Sequence, residues 1–547
     1  MLRAIILSLI SAVLLVLAYP SFHLWPLIWI GLIPLLIALD GKNKKQAFAL
    51  GYLCGFLFFG GTLYWFIHVT LPGAILLIAY LSLYFALFAL GYVSFRTCGE
   101  PLRGTLDESH RDSSSLDPRP RSPFAKQKAP WPLVLATSAM RLSTSPLIII
   151  SSLWVCLEFI RAKFLSGFGW VCLGHSQYQI LPLIQMTDVT GIYGLSFVIV
   201  MVNVWLKNFF VGQKHIGLAQ SKFVVGILIL ILGYGFFQIK TQSLIKPSAT
   251  VKVSVIQANI PQSLKWDPQE WKETFQKYLL MTRQASEDSP DLIIWPETAF
   301  PGYVWENPQQ FEDLKDFIAK LQIPLLFGMV TMEGEKYYNS AVLLSKEGDV
   351  AEKYDKLHLV AFGEYLPLRK ILSLLEGFIL IPSADFTAGE KLTLFPLDLS
   401  HPGLKFSVLI CFEDTLSYVS RRLVNHGADV LVNITNDAWF HDTNAPFLHL
   451  QAAIFEAVEN RRPLIRAANT GVSCFIDPLG RIRRSLAQKM GRETYVAGNV
   501  FERMDVAQHR PKTFYTKFGD VFTYLCFFCI LIIVFRKIRH YKTIVRP

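Results

Sequence analysis

Charge is what this 547-residue chain has least of. Only 17% of its residues are Asp, Glu, Lys or Arg, and 52% are hydrophobic, whereas a soluble protein carries roughly a quarter charged residues. That shortfall excludes an ordinary soluble protein and points to the membrane; the length excludes one ordinary domain. The eight cysteines lack the spacing of a disulfide framework. Cys54, Cys156, Cys172, Cys526 and Cys529 lie in or beside apolar runs, as packing residues do, and only Cys411 and Cys474 fall in the long soluble stretch. No CxxC pair has zinc-ligand partners, since Cys526 and Cys529 merely flank two phenylalanines, so no metal is expected. There is also no basic stripe interleaved with aromatics, so the net charge of +11 does not read as nucleic-acid binding. The basic residues cluster between apolar runs, as at Lys42, Lys44 and Lys45 or at Arg536, Lys537, Arg539 and Lys542. Membrane proteins mark their cytoplasmic loops in this way.

What is present begins with apolar runs of spanning or near-spanning length, near 4–19, 24–40, 47–68, 73–96, 146–162, 191–212, 222–239 and 518–535. They predict a polytopic α-helical membrane bundle of about eight spans. The first run is short enough to resemble a signal peptide, but six more follow in the same half, which favours an uncleaved helix. Residues 41–46, 96–145, 207–222 and the C-terminal RKIRHYK stretch carry Lys and Arg, while 20–23 and 69–72 carry none. Basic loops inside place the N-terminus in the cytoplasm and residues 240–515 on the outer face. The expected organisation is a membrane domain at 1–240, a soluble extracytoplasmic domain at 250–505, a last helix at 516–537 and a basic cytoplasmic tail at 538–547. Residues 97–145, rich in Ser, Pro and mixed charge, read as a disordered cytoplasmic loop. The run GFGWVCLGHSQY within 162–190 reads either as structure lying at the membrane surface or as a plain connection.

From Val251 to about Val500 the pattern changes. VKVSVIQANI, DLIIWPE, PLLFGMV, NSAVLLS, KFSVLIC, DVLVNIT and SCFIDP read as strands, and residues 267–286 and 446–459 as helices, which predicts an α/β layered domain. Polar residues follow the strands directly: Glu297 after LIIWP, Lys356 after DVAEKYD, Cys411 after FSVLI, and Asn436 and Asp437 after VLVNIT. Strand ends form the rim of α/β active sites, so these groups can converge. Singly each has a bland reading: a cap, a surface charge, a buried thiol. Together they form an acyl-transfer apparatus, in which a glutamate takes the thiol proton, a cysteine attacks and a lysine stabilises the oxyanion.

The motifs IWPETAFP, KYDKLHLVAFGEYLPL, LICFED and NITNDAWF resemble those of the nitrilase, or carbon–nitrogen hydrolase, superfamily. QANIPQSLKWD, LAYPSFHLWP and the flanking spans are similar to one branch of it, the apolipoprotein N-acyltransferases of bacterial inner membranes. The resemblance covers nearly the whole chain apart from 97–145. It implies a nitrilase-like αββα sandwich with a Glu–Lys–Cys triad: Glu297 as proton acceptor, Lys356 as oxyanion stabiliser and Cys411 as nucleophile. Glu364 matches a glutamate that supports the lysine, and Glu413 an essential acidic position. Trp266 and Trp439 match tryptophans near the acyl-chain entrance and, with Phe412, make up the expected substrate-binding set. Two residues depart from the family pattern, Ala361 where Pro is frequent and Phe412 where Tyr is frequent; both bear on rate and lipid preference and leave the triad intact.

The implied reaction is a ping-pong transfer of an acyl chain, without cofactor or metal. A membrane phospholipid is the donor, Cys411 carries the thioester, and the N-terminal diacylglyceryl cysteine of an apolipoprotein is the acceptor. The implied location is the bacterial inner membrane, with the catalytic domain on the periplasmic side. A hydrolase of the same fold would cleave a nitrile or amide with water; the apolar spans argue against it. A transporter or receptor would need facing intramembrane charges, for which only Glu158, with Arg161 and Lys163, stands in a span.

Overall fold

The computed structural model describes residues 1–96, 146–165, 167–211, 218–366, 385–397, 403–486, 494–508 and 510–545. The expected loop at 97–145 lies outside them. Helices occupy every apolar run: α1 (Leu2–Leu17), α2 (Ile28–Gly31), α3 (Ile33–Ala38), α4 (Lys44–Thr62), α5 (Leu71–Arg96), α6 (Pro146–Arg161), α7 (Ile192–Phe210), α8 (Leu218–Gln242) and a C-terminal helix (Val521–Val545). Among the described residues four are long and apolar enough to cross a membrane: Leu71–Phe95, Ile192–Phe210, Leu218–Gln242 and Val521–Arg539. The second run is broken where proline interrupts the backbone ladder. Pro26 sits in a 3-10 turn (Trp25–Leu27) and Pro34 opens α3. Helix α8 and the C-terminal helix expose Ile229, Leu230, Phe236, Phe237, Phe528 and Phe535. Apolar surface of that extent suits lipid contact better than water.

The soluble part is built on two six-stranded sheets. The first contains β1 (Ala249–Gln257), β2 (Leu292–Ile294), β3 (Leu325–Glu333), β4 (Lys336–Leu344), β5 (Val350–Asp355) and β12 (Gly498–Val506), in the order β12-β1-β2-β3-β4-β5. The second contains β6 (Phe395–Pro396), β7 (Lys405–Ile410), β8 (Val430–Thr435), β9 (Leu464–Ala468), β10 (Cys474–Ile476) and β11 (Ile482–Ser485), in the order β11-β10-β9-β8-β7-β6. In each sheet three central strands run parallel, β1-β2-β3 and β7-β8-β9, and the remainder pair antiparallel.

Alternation along the strands explains the layering. Leu292, Ile294 and Leu326 share one core with Phe406 and Val408 of the second sheet, while Ile293, Leu325 and Phe327 share another with α9 (Trp271–Ser286) and α10 (Pro308–Leu321). Successive side chains point to opposite faces, so each strand feeds both layers. Helices α11 (Ser417–His426) and α12 (Ala445–Asn460) flank the second sheet, which completes the expected αββα order.

The segment read either as membrane-surface structure or as a plain connection is buried within the chain. Residues Phe168–Gln177 are interior and wedge between bundle and sandwich. Trp170 packs on Trp65, Phe412 and Phe440, and a Cβ on Gly169 would stand 2.1 Å from the Thr415 carbonyl oxygen. The charges of α6 serve this wedge: Glu158 Oε1 accepts from Leu173 N at 2.9 Å, and Arg161 Nη2 reaches Cys172 Sγ at 3.4 Å. One continuous apolar core joins the bundle to the second sheet. Polar ties reinforce it, with Ile192 N donating to Glu459 Oε1 at 2.7 Å and Arg461 Nη2 pairing with Asp188 at 2.7 Å.

Candidate active site

The ends of β2 and β5 in the first sheet and of β7 in the second bring distant residues together. Cys411 directly follows β7 and opens a 3-10 turn (Cys411–Thr415) with φ of +53°, the left-handed region that costs a non-glycine residue strain. Glu297 stands three residues beyond β2. Its turn fits only because Gly328 of β3 has no side chain: a Cβ there would lie 2.4 Å from Thr298 N and 2.7 Å from Glu297 Cα. Lys356 follows β5, its backbone N donating to the Asn339 carbonyl at 2.9 Å.

Around these ends the polar groups interlock. Lys356 Nζ is 2.9 Å from Glu364 Oε1 and 3.8 Å from Glu297 Oε1. Asn339 Nδ2 donates to both carboxylates at 2.8 Å, and Asn436 N donates to Glu297 Oε2 at 2.8 Å. Glu364 also accepts from Val360 N at 2.8 Å, which ties it to the loop bearing Ala361. Lys356 is buried; burial alone would lower its pKa, but Glu364, Glu297 and Cys411 outweigh it and raise it, so the ammonium is secured. Burial and the Glu297 carboxylate push the Cys411 thiol well above its usual range, against the pull of Lys356 and a hydrogen bond with Thr435. Cys411 therefore rests as a thiol, and a thiol needs a base to become a thiolate.

Glu413 lies apart from the Glu297–Lys356–Glu364 cluster. Its Oε1 accepts from Leu357 N and His358 N at 2.7 and 3.0 Å, and its Oε2 from Ile410 N at 2.7 Å and Tyr354 Oη at 2.9 Å. It staples the strand end behind Lys356 to the strand end behind Cys411. Burial, against those donors and Lys356, lifts its pKa to about 7. Phe412 packs on Trp170 and His358 at ring distances of 5.8 and 6.2 Å. Trp266 and Trp439 stay 37% and 48% exposed, Trp266 leaning on Tyr303 at 5.9 Å, so neither joins the hydrogen-bonded centre.

Two residues of the centre escaped the sequence reading. Asn339 is a lone amide at the start of the apolar half of β4, and Lys265 precedes Trp266. Lys265 Nζ donates to the Glu297 carbonyl at 2.8 Å, and burial brings it down to about 8 against the pull of Glu297 and Cys411. A polar residue inside an apolar strand was the available signal for Asn339. Among the described residues no cluster of His, Cys, Asp and Glu is arranged to hold a metal ion.

Comparison with known proteins matches residues 252–498 to the carbon–nitrogen hydrolase family, and 11–107 with 126–205 to the apolipoprotein N-acyltransferase N-terminal domain. An apolipoprotein N-acyltransferase of Geobacter metallireducens is 36% identical, over 96% of this chain and 93% of the relative. One from Vibrio vulnificus is 29% identical over 86% of each chain. Among solved structures, an amidase of the nitrilase superfamily from Nesterenkonia is 20% identical with a TM-score of 0.36, covering 48% of this chain and 93% of that one.

Proposed function

The chain belongs to the apolipoprotein N-acyltransferases and is an acyltransferase, and from that premise we propose a two-step transfer through Cys411. Glu297 takes the thiol proton as sulfur attacks the ester carbonyl of a membrane phospholipid. The tetrahedral oxyanion forms beside Lys356 Nζ, the C–O bond breaks, and the proton passes from Glu297 to the departing alkoxide. A lysophospholipid leaves and a thioester remains. The α-amine of an apolipoprotein's N-terminal diacylglyceryl cysteine then attacks the thioester. Glu297 receives the amine's proton, the C–S bond breaks, and the proton returns to sulfur as the amide is released.

The observation that carries this reading is the grouping of a secured ammonium, a bound carboxylate and a protonated thiol at adjoining strand ends. Glu364 orients Lys356, Glu413 positions the Cys411 turn, and Trp266, Trp439 and Phe412 border the acyl-chain path. The continuous core between bundle and sandwich supports an active site held at the lipid surface. Each buried methylene is worth about 0.8 kcal/mol, so acylated substrates stay in the bilayer and the enzyme works there. The distribution of Lys and Arg supports a multi-pass protein of the bacterial inner membrane, with residues 250–505 on the periplasmic side and 538–547 in the cytoplasm.

The test incubates the detergent-solubilised full chain with a phospholipid and no amine. Mass spectrometry is expected to find an acyl adduct on the Cys411 peptide that neutral hydroxylamine removes. Addition of a diacylglyceryl-cysteine peptide should then discharge it as N-acyl peptide. Discharge as free fatty acid alone would make the protein a hydrolase, and no adduct in the wild type would overturn the reading.

A further inference from the structure

Four fully buried charged side chains lie behind the nucleophile, and the reaction just described uses none of them. His449 projects from α12. Its Nδ1 is 2.9 Å from Asp437 Oδ1, its Nε2 is 2.6 Å from Asp414 Oδ1, and Nε2 is also 3.2 Å from the Cys411 carbonyl oxygen. All three neighbours are acceptors. A neutral imidazole has one N–H, so this geometry calls for a proton on both nitrogens. Arg466 of β9 closes the ring, with Nη1 2.7 Å from Asp414 Oδ2 and Nη2 3.1 Å from Asp437 Oδ2. Each carboxylate thus sets one oxygen against the imidazole and the other against the guanidinium, Asp437 Oδ1 as a hydrogen-bond partner of Nδ1 and Asp414 Oδ1 in ionic contact with Nε2, whose hydrogen bond goes to the Cys411 carbonyl. Two cations and two anions balance, which is the condition for keeping such charges buried.

The ring's place in the fold matters as much as its charge. Asp414 belongs to the turn that begins with Cys411. Asp437 opens the next turn (Asp437–Phe440), directly after Asn436, whose N–H holds Glu297. A Cβ on Gly471 would stand 2.0 Å from Asp437 Oδ2, so that carboxylate is packed against backbone.

We propose that His449 is a positioning residue for the acyl transfer: as an imidazolium bridging Asp414 and Asp437, it locks the nucleophile's turn to the turn that holds the base. The inference rests on the function proposed above. The charged and titratable groups facing His449 are Asp414 and Cys411 from the nucleophile turn, Asp437 from the turn after β8, and Arg466 from β9; the wedge between bundle and sandwich presents the Trp170 ring at 5.5 Å. Burial and Arg466 lower the pKa of His449, and the two carboxylates more than offset them, raising it to about 9. As pH rises through that value the ring loses a donor and gains net negative charge behind Cys411. Acylation then slows, whereas simple ionisation of a thiol would speed it.

The experiment measures single-turnover acylation of the full chain in detergent micelles with excess phospholipid, from pH 6 to 10. The wild-type rate should fall above pH about 9. His449→Gln should be slower at neutral pH by on the order of 10–10², the scale of a small misplacement of reacting groups. It should lack the alkaline fall and keep the half-saturating phospholipid concentration within about twofold. Asp437→Asn removes one carboxylate from the imidazolium and should move the fall to lower pH, a readout available if the histidine variant does not fold. A wild-type rate in His449→Gln, a loss confined to half-saturation, or an alkaline fall that neither variant alters would overturn the role of His449. Absence of any wild-type adduct would overturn the donor reading beneath it.

Discussion

At the scale of the residue, the proposed mechanism separates groups that do chemistry from groups that hold them. Lys356→Ala removes the proposed oxyanion donor, a loss that typically costs on the order of 10²–10³ in rate. Because the oxyanion forms twice, both acylation and discharge should slow, read from adduct formation and decay in the hydroxylamine assay. Glu413→Gln tests the staple. Either placement of the amide turns an NH2 toward donors, against Ile410 N and Tyr354 Oη or against Leu357 N and His358 N. A buried unpaired donor costs about 1–3 kcal/mol, so the variant should melt lower and acylate poorly. The wild-type staple also carries a pH signature. Its folded pKa of about 7 exceeds the ordinary value of 4.5, so the folded chain keeps a proton that the unfolded chain releases. Its contribution to stability therefore declines as pH rises from about 4.5 to 7, a slope that melting curves should show and Glu413→Gln should lack. Cys474 is fully buried in β10, its thiol pushed up to about 12 by burial, and is predicted to serve packing alone. Cys474→Ala should lose within roughly 0.5–3 kcal/mol and still acylate.

At the scale of the element, Gly328 shows how a strand sets the position of Glu297. Its replacement by Ala drives a methyl into the backbone of the Glu297 turn, and overpacking of this kind costs about 1–3 kcal/mol. The expected result is a lower melting temperature with a larger proportional loss of acylation rate than of folded protein. Strands such as β1, β7 and β8 were legible in the sequence because Val, Ile and other β-formers recur along them. β9 was not, since LIRAA carries Arg466, a charge that is buried only because Asp414 and Asp437 neutralise it. The second apolar run read as one span, yet Pro26 and Pro34 divide it into short pieces. Hydropathy counts apolar residues and does not register where the backbone ladder fails.

At the scale of the whole molecule, the grouping of Glu297, Lys356, Glu364 and Cys411 could be expected from strand-end positions and family motifs, whereas the burial of 168–177 could not. That segment's glycines and aromatics suit a membrane surface equally well, and its burial comes from tertiary contacts, among them those of Trp170 with Trp65, Phe412 and Phe440. Reporter fusions at Lys42, Gln309 and Val545 should read cytoplasmic, periplasmic and cytoplasmic, and a cytoplasmic reading at Gln309 would contradict the proposed side of the catalytic domain.

The pairing of β12 with β1 has a consequence for synthesis. The first strand of the sandwich follows α8 closely, and its antiparallel neighbour arrives only at the end of the domain. Translation of the roughly 240 intervening residues takes on the order of 10–50 s at about 5–20 residues per second. Throughout that interval one edge of β1 lacks its ladder, and an open edge invites pairing with any extended neighbour. A ribosome stalled before Gly498 would leave an incomplete sheet tethered to the bilayer, a ready target for chaperones and proteases that watch over nascent membrane proteins.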